Sequence, residues 1–146
     1  MSNSKIFFWQ SSHSFHKILY HLVFTPKYRR RIIQGKLESR LKFLLYECAE
    51  VNDWFIHELE VMSDHVHILV QIPPNIPISQ AAMYFKGGSS KVLRKEFPEI
   101  KEFLWGDSFW QDGYFVESIG RIDQKKMRQY IQEQKAPREP QSSSVL

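Results

Sequence analysis

Two histidines, His65 and His67, are the residues whose types and spacing most clearly suggest chemistry. They flank one valine at the start of the run 65–72, which is short, apolar and β-branched and therefore predicts a buried strand. Side chains alternate across a strand, so both imidazoles should lie on one face and reach the same metal ion. Imidazole is a common metal ligand. The alternative is a pair of histidines that are hydrogen-bonded on a half-buried sheet.

The composition fits a single globular domain with an anionic partner. The chain has 146 residues, of which 42% are hydrophobic and 25% charged, with a net charge of +4 and a pI near 9.2. The positive balance favours a partner such as nucleic acid. One cysteine, Cys48, excludes a disulfide framework and a cysteine-rich zinc site. A polar start and the lack of a long apolar run predict a soluble, cytoplasmic protein with no membrane partner.

Hydrophobic periodicity predicts an α+β fold of seven elements. The elements are a strand over 15–25, a helix over 31–51, a hairpin of strands over 54–62 and 65–72, a helix over 79–97, a strand over 109–119 and a last helix over 123–135, with a loop over 98–107. The first six match the ferredoxin-like split βαβ pattern, a four-stranded antiparallel sheet whose first and third strands are central. This places His65 and His67 on a central strand. We expect one domain over 15–136, a flexible segment over 1–14 and a disordered tail over 137–146.

The extra C-terminal helix has a tyrosine and a glutamine one turn apart. Tyr130, Ile131 and Gln134 share a face with Met127. Taken alone, this pattern is typical of a packing tyrosine on an apolar stripe and of a surface glutamine.

Two basic segments could contact a nucleic-acid backbone. The first is Lys27–Arg31, which has Tyr28 inside it, and the second is Lys86–Arg94 in the second long helix. The second segment includes Gly87 and Gly88, each of which costs roughly 1 kcal/mol relative to alanine in a helix. We expect a bend, or the close approach of another backbone or a ligand, to compensate.

Four stretches together resemble the single-tyrosine transposases of the smallest bacterial insertion sequences, the TnpA family of the HUH endonuclease class, of insertion sequence 200/605 type. The stretches are Tyr20–Arg30 (YHLVFTPKYRR), Asp64–His67 (DHVH), Lys86–Ser90 (KGGSS) and Tyr130–Gln134 (YIQEQ). They occur in the family's order, and the resemblance covers about residues 16 to 136.

The resemblance implies a metal-dependent single-strand DNA endonuclease and strand transferase. Tyr130 would attack a DNA phosphate and form a 5′-phosphotyrosine, while His65, His67 and Gln134 would hold one divalent ion, Mg²⁺ or Mn²⁺. The partner would be single-stranded DNA with a hairpin, and the protein would be a homodimer whose last helix moves about a hinge at Gly120. The candidate DNA-binding residues are Lys27, Tyr28, Arg29, Arg30, Lys86, Lys91 and Arg94.

Three other functions are compatible with parts of this pattern. A non-catalytic nucleic-acid-binding module on a ferredoxin-like sheet would have paired aromatic residues on the central strands, where this chain has histidines. A host-adapted tyrosine transposase that processes repeated palindromes would keep the same catalytic residues. A small metal hydrolase would use the histidines with Asp64 or His21 and no covalent step.

Overall fold

The computed structural model describes residues 9–10, 15–16, 19–104, 108–119, 129 and 131–133. The strands are β1 (Trp9–Gln10), β2 (Phe15–His16), β3 (Leu19–Phe24), β4 (Phe55–Met62), β5 (His65–Gln71) and β6 (Phe115–Ile119). The α-helices are α1 (Gly35–Val51), α2 (Ile78–Glu96) and the short α3 (Lys101–Leu104), and single 3-10 turns cover Lys27–Arg29 and Pro98–Ile100. Gln129 and Ile131–Glu133 are also helical.

The main sheet has four strands in the order β4-β5-β3-β6, and all neighbouring strands are antiparallel. The first and third strands of the split βαβ unit, β3 and β5, are central, which confirms the ferredoxin-like prediction. The strand predicted over 15–25 is divided, because β2 pairs with β1 in a separate two-stranded ladder. The predicted last helix and the 137–146 tail lie largely or wholly outside the described residues.

Helices α1 and α2 cover one face of the sheet and form the main core. In α1 the buried residues recur every four positions, which gives the helix one apolar stripe. In β3 and β5, alternate residues face this stripe. The core residues from these elements are Leu37, Leu41, Leu45, Ala49, Ala81, Ala82, Phe85, Leu93, Leu22, Phe24, Val66, Ile68 and Val70. The intervening strand residues therefore point to the opposite face.

Long-range contacts shift two predicted boundaries. Helix α1 begins at Gly35, not at Arg31, because the buried Ile33 donates its backbone N–H to the Ser63 carbonyl at 3.0 Å and holds the preceding segment extended. Gly35 has a φ of +58°, a conformation that favours glycine. Strand β6 begins at Phe115, not at residue 109, because Trp110 instead forms a bridge with Pro26.

Two further local features differ from the predictions. The segment predicted as a loop over 98–107 contains the 3-10 turn and α3. Strand β4 has a register shift between Ile56 and Glu58, so His57 is an extra residue in that strand. No helix of the described part of the chain is long and apolar enough to cross a membrane.

Candidate active site

The face of the sheet opposite α1 and α2 carries a cluster of three neighbouring buried histidines, and a fourth buried histidine, His57, lies further along at Gln71. His65 and His67 come from β5, and His21 comes from the neighbouring β3. His67 is 0% exposed, and buried Glu60 of β4 lies directly opposite it in the ladder. The alternation of β5 therefore places the two predicted metal ligands on one face, as expected from their spacing.

Each ring of the His65/His67 pair is held through its Nδ1 atom. His65 Nδ1 lies 2.7 Å from Asp64 Oδ1, and His67 Nδ1 lies 3.1 Å from His21 Nε2. The Nε2 atoms of both rings are buried and have no hydrogen-bond partner among the described residues. Buried polar atoms nearly always have a partner, so these two require an explanation. A histidine oriented through one nitrogen and open at the other is the usual arrangement of a metal ligand.

Burial and neighbouring charges shift the pKa values of three groups in this cluster. Burial, with the nearby His65 and His21, lowers the pKa of His67 to about 3. Burial also lowers the pKa of His21, although the adjacent Glu117 opposes the shift. Burial would raise the pKa of Asp64, but the hydrogen bond with His65 and the positive charges nearby outweigh it and lower that pKa. The neutral rings of His67 and His21 and the ionised Asp64 carboxylate that result suit cation binding.

Lowering the pH is expected to destabilise the metal-free protein. The pKa of His67 is about 3 in the folded state and 6.5 in the unfolded chain, so the unfolded chain binds the proton first. This contribution to stability is complete above pH 6.5 and is lost as the pH falls towards 3. Between pH 6.5 and 5 the loss from His67 amounts to about 2 kcal/mol. Urea unfolding of the wild type and of His67→Gln at both pH values measures the free energy of unfolding. The variant should lose less stability than the wild type as the pH falls, and equal losses would contradict the low pKa of His67.

The C-terminal helix contacts the histidine face. Ile131 is buried against Leu19, Leu69 and Ile119, and Leu69 is two residues beyond His67 on the same side of β5. Gln132 Nε2 donates to Glu58 Oε2 at 3.0 Å. Tyr130 and Gln134 lie outside the described residues, as does Gly120. Ile131, which directly follows Tyr130 in sequence, therefore lies against the sheet face that carries the imidazoles.

No group of three or more His, Cys, Asp or Glu side chains in the described residues is arranged to hold a metal ion. The described donors with open Nε2 atoms are His65 and His67. The third predicted ligand, Gln134, is not among the described residues.

The first basic segment, Lys27–Arg31, lies beside the hairpin of β4 and β5. Arg29 Nε is 3.3 Å from Asp64 Oδ2, and Lys27 Nζ is 4.0 Å from Asp112 Oδ1. Tyr28 is 46% exposed and Arg30 is half-buried. The Arg29–Asp64 contact links this cluster to the carboxylate that orients His65.

The second basic segment, Lys86–Arg94 of α2, contains one anchoring lysine and two exposed cations. Lys86 Nζ donates to the backbone carbonyls of Gln111 and Gly113, at 2.9 and 2.6 Å, so it holds the segment that leads into β6. Lys91 and Arg94 are exposed.

The two glycines of α2 have no packing explanation within the described chain. A Cβ atom at either Gly87 or Gly88 would meet no atom within 4 Å, so the expected close approach is not made by described residues. The next residue, Ser89, is buried and accepts a hydrogen bond from Trp110 Nε1 at 2.9 Å.

Three further residues surround the site, of which Glu117 was not predicted, and Asp64 and His21 were named only for the metal-hydrolase alternative. Asp64 orients His65, His21 contacts His67, and Glu117 lies 3.8 Å from His21 Nδ1. A signal for His21 exists in the sequence, because its place in the alternation of β3 puts it on the same face as the β5 histidines. The contact of Glu117 depends on the pairing of β3 with β6, and local sequence does not show that pairing.

Comparison with known proteins gives a consistent set of relatives. Residues 14–134 match the family model described as "Transposase IS200 like". The chain is 36% identical over 115 residues to the transposase for insertion sequence element IS200 of Salmonella typhimurium, covering 79% of this chain and 75% of that protein. It is 30% identical over 119 residues to the ISDra2 transposase TnpA of Deinococcus radiodurans, covering 82% of this chain and 85% of the relative.

Solved structures share the fold. A crystal structure of a candidate transposase from Deinococcus radiodurans R1 has a TM-score of 0.71 and 29% identity, and covers 86% of this chain and 97% of that one. A REP-associated tyrosine transposase bound to a REP hairpin has a TM-score of 0.59 and 14% identity, covering 90% and 70%. The second likeness concerns the fold alone. The family match over most of the chain and the 36% identical relative show that this protein belongs to the IS200-like transposases.

Proposed function

We propose that this IS200-like transposase cleaves and rejoins single-stranded DNA at the ends of its insertion sequence through a covalent 5′-phosphotyrosine at Tyr130. The single observation that carries the proposal is the pair of open, buried Nε2 atoms of His65 and His67. They lie on the sheet face against which Ile131, the neighbour of Tyr130 in sequence, is buried. A metal site and a nucleophile-bearing segment on one face are what a phosphoryl transfer needs.

The two imidazoles fit a divalent ion, with Gln134 proposed as the third ligand. Both rings are held at Nδ1, so their Nε2 lone pairs are the donors left for a cation. Magnesium prefers oxygen ligands, whereas imidazole suits Mn²⁺ better, so we expect activity with either ion and tighter binding of Mn²⁺. When bound, the ion would supply Lewis-acid stabilisation of the phosphate.

The proposed chemistry conserves the number of phosphodiester-type bonds. The Tyr130 phenol loses its proton to solvent and its oxygen forms a bond to phosphorus, while the bond from phosphorus to the 3′ oxygen breaks. The 3′ oxygen takes up a proton from solvent and becomes a free 3′-hydroxyl. A 3′-hydroxyl can later attack the phosphotyrosine and release the tyrosine, so no energy cofactor is required. Asp64 and His21 keep the metal-binding rings in place during both steps.

The proposed DNA contacts are phosphate contacts from the basic clusters, with Tyr28 as a stacking residue. We propose a homodimer that binds a single-stranded DNA hairpin. The exposed cations that support DNA binding are Arg29 beside the site and Lys91 and Arg94 on α2. Lys27, Arg30 and Lys86 remain predicted contacts, although Lys86 also anchors the chain before β6.

Replacing both Arg29 and Arg30 by alanine is expected to weaken hairpin binding and to make it less dependent on salt. Each lost phosphate contact to a single strand reduces the slope of log K against log salt by about 0.7, so the pair should reduce it by about 1.4. Fluorescence anisotropy over a salt series measures the slope. Arg40→Ala is the matched control, because Arg40 pairs with Glu96, between α1 and α2. An unchanged slope in the double variant would mean that Arg29 and Arg30 do not contact DNA phosphates.

Incubation with single-stranded DNA tests the function directly. The substrate is DNA from the flanks of the gene with Mn²⁺, and a denaturing gel separates free protein from a covalent adduct. We expect an adduct that requires both the metal and single-stranded substrate. Cleavage without any adduct would favour a metal hydrolase and contradict the proposal.

A further inference from the structure

The metal-ligand candidate His67 has a second histidine behind it. His21 Nε2 lies 3.1 Å from His67 Nδ1, and the two rings stack with centroids 5.3 Å apart and planes 14° apart. His21 is buried, 4% exposed, and sits directly opposite Glu117 in the pairing of β3 with β6. Its other nitrogen, Nδ1, lies 3.8 Å from Glu117 Oε2. A row of side chains therefore runs from the exposed carboxylate of β6 to the ring on β5.

The positions of the ring protons along this row follow from the chemistry of imidazole. A neutral ring has one N–H donor and one acceptor nitrogen. If His67 Nε2 is to offer a lone pair to a metal, its proton must be on Nδ1, which then donates to His21 Nε2. His21 must accept with Nε2, so its own proton is on Nδ1, the atom that faces Glu117. The carboxylate favours that tautomer, because its negative charge attracts the N–H.

We propose that His21 is a positioning residue that fixes the tautomer and orientation of His67, with Glu117 fixing the tautomer of His21. The proposal rests on the proposed function of His67 as a metal ligand. Without an acceptor at the position of His21 Nε2, no hydrogen bond would stabilise the tautomer of His67 that is protonated on Nδ1. The ring would then carry the proton on Nε2 in part of the population, and that tautomer cannot bind a metal. Partners behind metal-ligating histidines commonly contribute 10- to 100-fold to metal affinity.

Two variants of almost equal shape test the assignment. His21→Gln keeps an acceptor oxygen near the position of Nε2, and His21→Met has the same length without a strong acceptor. Nitrogen-15 NMR of the full-length, metal-free protein reports which nitrogen of His67 carries the proton, with the signals assigned by their loss in His67→Gln. We expect the proton on Nδ1 in the wild type and in His21→Gln, and partly on Nε2 in His21→Met.

Titration with Mn²⁺ gives the second readout. Affinity in His21→Gln should stay near the wild-type value, while His21→Met should bind about 10- to 100-fold more weakly. Equal loss in both variants would mean that His21 is needed only for packing, and equal affinity in all three proteins would also overturn the proposal. The NMR measurement on the wild type needs no variant, so a His67 proton on Nε2 overturns the proposal even if His21→Met does not fold.

The outcomes separate this inference from the proposed function. A wild type that forms the DNA adduct but carries the His67 proton on Nε2 would overturn the role of His21 alone. A wild type with the expected tautomer that forms no adduct would overturn the phosphotyrosine mechanism and leave the role of His21 intact.

Discussion

Tyr130→Phe is expected to abolish the covalent protein–DNA adduct and strand cleavage. The change removes one oxygen and almost no volume, so folding, dimerisation and hairpin binding should persist. Loss of a covalent nucleophile leaves only binding contributions, and we expect cleavage to fall by more than about 10⁴-fold. The measurement is the denaturing gel with single-stranded flank DNA and Mn²⁺.

Tyr114→Phe is the matched control for this experiment. Tyr114 is an exposed tyrosine in the segment before β6, and losing its hydroxyl should leave the adduct unchanged. If Tyr130→Phe still formed the adduct, Tyr130 would be a packing residue and another group would be the nucleophile.

Mixed dimers show whether the tyrosine acts within its own chain. Subunits with Tyr130→Phe are combined with subunits carrying His65→Ala, each inactive alone. Regained cleavage would mean that one intact composite site forms across the dimer, whereas a mixture that stays inactive would place Tyr130 at the site of its own chain.

His67→Ala is expected to have the second-largest effect. It removes one of the two imidazole donors, and charge stabilisation by a bound metal contributes several kcal/mol to phosphoryl transfer. Cleavage should fall by at least about 10³-fold and Mn²⁺ affinity should drop. Hairpin binding should remain, because the proposed phosphate contacts come from other residues. Adduct formation and Mn²⁺ titration are measured on the same preparation.

His57→Ala is the control for burial at this sheet. His57 is a buried histidine of β4 whose Nε2 is 2.9 Å from Gln71 Oε1, so its loss also removes a ring from the interior. We expect it to lower stability and to leave Mn²⁺ affinity intact. If both variants lost metal binding equally, the effect of His67→Ala would be structural. If His67→Ala cleaved at the wild-type rate, the metal assignment would be wrong.

The sheet and its hairpin could be predicted from sequence because their signals are local. The alternation in 54–62 and the short apolar run in 65–72 give the two strands, and the spacing of His65 and His67 gives their shared face. The four-residue stripe gives α1. The boundaries at Gly35 and Phe115 could not be predicted. They depend on the Ile33–Ser63 hydrogen bond and on the bridge between Pro26 and Trp110, which join distant parts of the chain.

The site was only partly predictable for a similar reason. Spacing identifies the shared face of His65 and His67, but His21 reaches His67 through the register of two strands that are 46 residues apart in sequence. The proposed roles of Tyr130 and Gln134 come from the family resemblance. Periodicity alone assigns both residues to ordinary positions on a helix.

The burial of β5 has a consequence for how copies of this protein can diverge. All seven residues of the strand are buried, with Val66, Ile68 and Val70 in the helix-facing core and the histidines on the other side. A slip of one residue in register would exchange the two sets. We therefore expect substitutions in β5 to lower stability as well as activity. Strand β6 is exposed at three of its five positions, so we expect it to tolerate more substitutions than β5, except at the buried Ile119 and where Glu117 meets His21.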